Sequence, residues 1–411
     1  MKIVVNQEGM LVALTELRES IATENPASTH SQPRDRIPAL DGIRGLAVLL
    51  VVLYHFIPEE AGEISAFWRW AQIGWIGVDL FFVLSGFLIT GILLEEREQP
   101  RYFLNFYARR TLRIFPLYYA VLFATLVAVP GLFSALGIEP TGTRGFGKAW
   151  KDLSEVRSNQ AWLWLYVSNF AAIFRGIEWR GFAHFWSLAV EEHFYLVWPA
   201  VVLWLKPSKL RSACVGLMVF ALVTRCASLL TGWGTLACYF LTPCRIDTLA
   251  MGAAIAVIFR EPTTHHRLRS SAFLVFPVGL GLIAWMFARE GKPTYDSTVV
   301  ATIGFSLIAI FWTSTLVLAL TSAKSSLLAR FLSSPFMQFF GKYSYAIYIF
   351  NRLLIVPVRL LVRPEMLAER IGFHGSILVQ IVVGVSINVA IALISWHAFE
   401  KHFLSLKRYF A

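Results

Sequence analysis

Arg44 and His55 stand 11 positions apart in LDGIRGLAVLLVVLYHF, Leu40 to Phe56. Eleven residues make close to three helical turns, so a helix here carries both side chains on one face, about 16 Å apart along its axis. An imidazole is a general base near neutral pH, and a guanidinium holds phosphates or carboxylates. Three further stretches carry chemistry. IGVDLFFVLSGFLIT holds Asp79 and Ser85, and FWSLAVEEHFYLVWP holds Trp186, Ser187, Glu191, Glu192 and Tyr195. FYARRTLRIFPLYY holds Arg109, Arg110 and Arg113. Ser187 and Glu191 are four apart, as are Arg109 and Arg113, so each pair shares a helix face. CRIDTLAMG adds Arg245 and Asp247, whose spacing of two points them apart on a helix. GKYSYAIYIFNRLL adds Asn351, with Arg352 beside it.

The elements that must position these groups are membrane helices. The 411 residues are 56% hydrophobic and 15% charged, against roughly 25% charged in soluble domains. Stretches 299–321, 375–396 and 114–135 carry no charge and are each long enough to cross a bilayer, which takes about 20 residues. Unbroken apolar runs of that length exclude a β-barrel. The expected fold is all-α, a polytopic bundle of about ten spans: 40–57, 74–94, 113–134, 185–205, 212–231, 244–259, 271–288, 299–321, 342–362 and 375–397. Residues 1–37 read as a polar, partly disordered cytoplasmic tail without a secretory signal, 38–405 as the membrane domain, and 406–411 as a short cytoplasmic end. No appended soluble domain is expected, and neither internal repeats nor broken helices in matching halves are visible.

Basic residues set the orientation. With a cytoplasmic N-terminus and ten crossings, the inner segments hold 21 Lys and Arg and the four short outer loops hold 5. That bias is the positive-inside pattern, and it accounts for the net charge of +11 without nucleic acid. Counting the 14-residue stretch 161–174 as a crossing would reverse every later loop, so it is expected to be re-entrant or interfacial. Both termini are then cytoplasmic and the protein sits in the cell (plasma) membrane. Cys214, Cys226, Cys238 and Cys244 show no ligand spacing and imply neither metal nor disulfide.

Topology converts position into depth. Arg44 falls near the inner face and His55 near the outer. Asp79 and Glu191 fall in the outer half of their spans, so His55, Asp79 and Glu191 could meet from three helices. A carboxylate that orients an imidazole and stabilises the imidazolium would make a proton-transfer site. The competing reading is a polar network that only locks helices together. The inner arginines either clamp phosphates or mark topology and bind lipid headgroups. Arg245, Asp247 and Asn351 could pair with neighbouring helices or touch substrate. A proton-coupled transporter or exporter is the alternative for the whole molecule, since intramembrane Arg, His, Asp and Glu also build proton relays.

These blocks carry a resemblance. LDGIRGLAVLLVVLYHF resembles the R-x10-H signature of the membrane-bound acyltransferase 3 family. GVDLFFVLSGFLIT, RRTLRIFPLYY, FWSLAVEEHFYLVWP, CRIDTLAMG, GKYSYAIYIF and SWHAFEKHF are similar to that family's later blocks, in its order, over about 37–405. The resemblance implies ten helices and transfer of an acyl group, usually acetyl, from cytoplasmic acyl-CoA to a hydroxyl of a carbohydrate-containing acceptor, without a metal. It implies that His55 is the base or a transient acyl carrier, with Glu191 as its carboxylate, and the matched depth adds Asp79 as a second catalytic candidate. Arg44, Arg109, Arg110 and Arg113 would hold the donor. Ser85, Trp186, Ser187, Tyr195, Arg245, Asp247 and Asn351 would support the site or the substrate. Where the family often has histidine, this chain has Asn351. Some members carry a C-terminal esterase-like domain, which is not expected here.

Overall fold

In a computed structural model, residues 37–142 and 145–410 are described. The expected tail at 1–37 lies, apart from Ile37, outside them. Among the described residues there is no strand. The main helices are α1 (Pro38–Phe56), α2 (Gly77–Glu95), α3 (Tyr102–Phe123), α4 (Phe185–Trp204), α5 (Pro207–Leu230) and α6 (Thr242–Ile258). They continue with α7 (His265–Glu290), α8 (Phe305–Thr321), α9 (Pro335–Asn351), α10 (Ile355–Val362) and α11 (Pro364–Ser395). Proline opens α1, α5, α9 and α11, where its missing N–H would have had no intrahelical partner anyway.

Seven helical runs among the described residues are long and apolar enough to cross a membrane, or nine if each of two bent pairs is one span. The helix α4 occupies the remaining expected place, and Glu191, Glu192 and His193 lower its apolarity. The protein is a multi-pass membrane bundle. Stretch 161–174 forms helices of 4 and 7 residues, each too short to cross. One expectation needs correction. The span placed at 342–362 is broken, because α9 and α10 meet at 79° across Arg352–Leu354. A second bend, of 40°, precedes α6. The first break carries Asn351 and Arg352 within an otherwise apolar run, and a window of about 20 residues averages over both.

The helix α1 is enclosed, packing chiefly on α9 and α2. Eleven of its 19 residues are buried. In a bilayer, helices gain little from apolar burial against one another and depend on close packing, which small residues permit. The crossing of α2 and α6 shows this. A Cβ on Gly86 would fall 1.9 Å from the Leu249 carbonyl oxygen, and one on Gly252 would fall 1.9 Å from that of Val83.

Two buried ion pairs pin this half of the bundle. Asp79 of α2 pairs with Arg245 of α6, both side chains being 0% exposed. Arg225 of α5 pairs with Asp247 of α6 at 2.8 Å and also donates to Ser306 of α8 at 2.6 Å. The Arg245 guanidinium lies over the Phe305 ring, 4.0 Å from its centre. Removing one partner of such a pair strands a buried charge, at a cost of about 3–5 kcal/mol.

Candidate active site

Three cavities follow one another along the bundle. The first, about 110 Å³, is walled by Arg44 of α1, Arg110 and Arg113 of α3, Ser85 of α2, and Ser187, Glu191 and Tyr195 of α4. The second, about 80 Å³, is walled by Tyr54, His55, Trp75, His184, Trp186, Tyr239, Tyr295 and Arg352. Val78 and Tyr348 line both. The third, about 750 Å³, is a polar vestibule with Glu59, Glu60, Arg69, Lys292, Asp296 and Arg359. It shares Tyr54, His55, Trp75, Tyr295 and Arg352 with the second. The imidazole of His55 therefore stands in the wall between the middle chamber and the vestibule.

Helical periodicity builds the first cavity. Val78, Phe81, Phe82, Ser85, Leu88 and Ile89 line it at helical spacing from α2, and Ser187, Leu188, Glu191 and Tyr195 line it from α4. The expected common face of Ser187 and Glu191 is present. Arg44 reaches Asp41 on its own helix at 2.9 Å. Arg110 and Arg113 share the cavity, three residues apart, whereas Arg109 pairs with Glu96 and donates to the Asn105 carbonyl at 3.1 Å. The expected pair of Arg109 and Arg113 is thus replaced by Arg110 and Arg113. The α3 helix runs on to Ala135 in one 34-residue stretch, about 51 Å at 1.5 Å per residue, longer than the ~30 Å hydrocarbon layer. Its first turns, which carry the arginines, can therefore lie at the membrane edge. Three guanidiniums around one cavity are suited to phosphate oxygens.

The neck between the first two cavities is a hydroxyl pair. Tyr348 hydrogen-bonds Ser187 and donates to the His184 carbonyl at 3.0 Å. Ser85 and Tyr195 form a second such pair in the first cavity.

Around His55, several buried polar atoms have no partner among the described residues: Nδ1 of His55, Nδ1 of His184 and Oδ1 of Asn351. The two imidazole rings lie 6.4 Å apart, edge to face. The Nε2 atom of His184 meets the Ile349 carbonyl at 3.0 Å, and Asn351 donates to the Tyr348 carbonyl at 3.0 Å. Buried polar groups are normally satisfied, so several open ones beside one cavity mark a place for a polar ligand.

The expected carboxylates do not reach this ring. Asp79 is committed to Arg245, and Glu191 faces Arg110 and Arg113 across the first cavity. Depth was matched, but azimuth was not. Val78 is the α2 residue that lines both of these cavities, and its successor turns about 100° away, toward α6. Asp79 is therefore corrected from partner of His55 to a pin between helices, and Glu191 to a wall of the arginine cavity. Arg245 and Asp247 serve the ion pairs, each on a different helix, as their spacing of two requires. Trp186 lines the middle chamber beside Tyr239, ring centres 4.7 Å apart. Asn351 ends α9 at the break.

Sequence reasoning passed over His184, Tyr54 and Tyr348, and gave Arg352 no role. A signal existed for His184, which precedes Ser187 by three and Glu191 by seven on one helical stripe. Among the described residues, no three His, Cys, Asp or Glu side chains are grouped as a metal would need.

Residues 37–397 match the family described as an acyltransferase domain. The chain belongs to that family. Within it, the chain is similar to the Bacillus subtilis protein named "Putative peptidoglycan O-acetyltransferase YrhL", 30% identical over 89% of this chain and 54% of the relative. It is similar to the peptidoglycan O-acetyltransferase OatA of Listeria monocytogenes, 28% identical over 81% of this chain and 52% of the relative. It is also 28% identical to the O-acetyltransferase OatA of Staphylococcus aureus, over 78% and 51%. The chain spans about half the length of these curated relatives. No solved structure matches it.

Proposed function

We propose that this acyltransferase domain moves an acetyl group from acetyl-CoA to a hydroxyl of a cell-envelope glycan, with His55 as the base. The observation that carries the reading is the row of adjoining cavities, with His55 between a guanidinium-lined end and a polar vestibule. The CoA phosphates rest on Arg110, Arg113 and Arg44, at the inner face of the plasma membrane by the charge bias. The pantetheine arm passes Val78 and Tyr348, and the thioester reaches the middle chamber. An acceptor hydroxyl enters from the vestibule, His55 takes its proton, and the alkoxide attacks the carbonyl. His184 and Asn351, rather than a carboxylate, stand beside the imidazole. The names of the relatives favour peptidoglycan as the acceptor.

The test is turnover of labelled acetyl-CoA by the purified chain, as transfer or as hydrolysis by water. His55→Ala should lose it by at least ~100-fold, the usual scale for a general base. Equal turnover in that variant would remove the mechanism. Label trapped on the protein from donor alone, and absent in His55→Ala, would favour an acyl-histidine over direct attack. A transporter with bent helices around a central site is the competing reading, which the two bent helix pairs keep open. It predicts movement of an unmodified solute and no dependence of acetyl-CoA turnover on His55.

A further inference from the structure

The Arg352 side chain lines the same two cavities as His55, the middle chamber and the vestibule. Arg352 caps α9 at the 79° break. Its guanidinium has no ion-pair or hydrogen-bond partner among the described residues. The other two arginines that line the vestibule are engaged: Arg359 with Glu365 at 2.8 Å and Arg69 with the Gly62 carbonyl at 2.8 Å. No Asp or Glu is among the residues that line the middle chamber, so its one cation is uncompensated there. The break itself points the same way. Non-helical backbone at membrane depth is tolerated where it lines a cavity, and this one places Arg352 in a cavity wall beside the unpartnered Oδ1 of Asn351.

We infer that Arg352 is a catalytic residue of the transfer, holding the thioester carbonyl oxygen and the oxyanion that forms on it. The inference rests on the acetyl-transfer reading above. The acceptor O–H gives its proton to His55 as its oxygen bonds to the carbonyl carbon, and the C=O pair moves onto oxygen to face the guanidinium. Collapse restores the C=O, breaks the C–S bond, and the thiolate takes the proton back from His55. Ester and CoA thiol leave, and both side chains regain their starting states. A fixed cation costs little reorganisation at the moment of reaction, which is why such groups act mainly on the transition state.

The test uses the full chain in detergent, with labelled acetyl-CoA as probe and water as acceptor, comparing Arg352→Gln, Arg352→Lys and Arg352→Ala with wild type. Arg352→Gln should lose ~100- to 1000-fold in kcat, the scale for removing one oxyanion donor, while KM for acetyl-CoA stays within about 3-fold. Arg352→Lys should retain part of the rate, and added guanidinium should restore part of it to Arg352→Ala. A kcat unchanged in Arg352→Gln overturns the inference. So does a loss confined to KM, which would make the residue an anchor for a substrate anion, or a loss that neither lysine nor guanidinium relieves, which would make it structural. His55→Ala separates the two layers. If that variant is inactive and Arg352→Gln is not, only the inference about Arg352 falls. If His55→Ala is active, the underlying reading falls as well.

Discussion

A carboxylate at the right depth is not yet a partner. Asp79 lies one residue from Val78, which faces the cavities, and that single step turns it toward Arg245. Its role in the fold and a role on His55 predict different outcomes. Asp79→Ala strands Arg245 and should cost ~3–5 kcal/mol, read as earlier thermal unfolding in detergent. Replacing both, as Asp79→Leu with Arg245→Met, removes the stranded charge and should recover most of that stability together with acetyl-CoA turnover. A stable but inactive double variant would return Asp79 to the chemistry. The same limit governs the arginines. Spacing says which of them share a face, but not which face meets the cavity, so Arg109 and Arg113 looked the better pair until Arg109 proved to be engaged by Glu96. The single-helix relation of Arg44 and His55 was legible because it needs only one axis. Relations between helices need the packing angle, which periodicity does not carry.

Helices were the most legible level. The apolar runs locate α1, α2, α4 and α6 within about three residues of their observed ends, since ~20 apolar residues have few alternatives in a bilayer, whereas α3 and α11 each begin 11 residues before the expected span. The breaks were not legible, because the apolar residues flanking Asn351 and Arg352 carry the window average through the break. The small residues that set the helix crossings were in plain view but say nothing about which helix they meet. Their importance is testable. Gly252→Leu must push a side chain into the backbone of α2, and overpacking of this kind costs ~1–3 kcal/mol or more. The expected result is a lower unfolding temperature and poor recovery from the membrane. Gly91 on α2 has nothing within 4 Å of a Cβ, so Gly91→Leu should stay within about 0.5 kcal/mol of wild type. Equal behaviour of the two variants would mean that α2 and α6 do not approach as described.

At the scale of the molecule, the bundle separates two tasks. The half containing α5, α6 and α8 is pinned by buried ion pairs within it and to α2. The half around α1, α4 and α9 holds the cavities, with open polar atoms gathered beside His55. A row of cavities along a membrane bundle also carries a hazard, since a continuous thread of water through it would conduct protons. Val78 and Tyr348, the latter hydrogen-bonded to Ser187, form the wall that the first two cavities share, and that wall interrupts such a thread. Tyr348→Ala should therefore make proteoliposomes leaky to an imposed pH gradient, read by a trapped dye, while vesicles holding the wild-type protein keep it. Equal retention by both would place the seal elsewhere along the row.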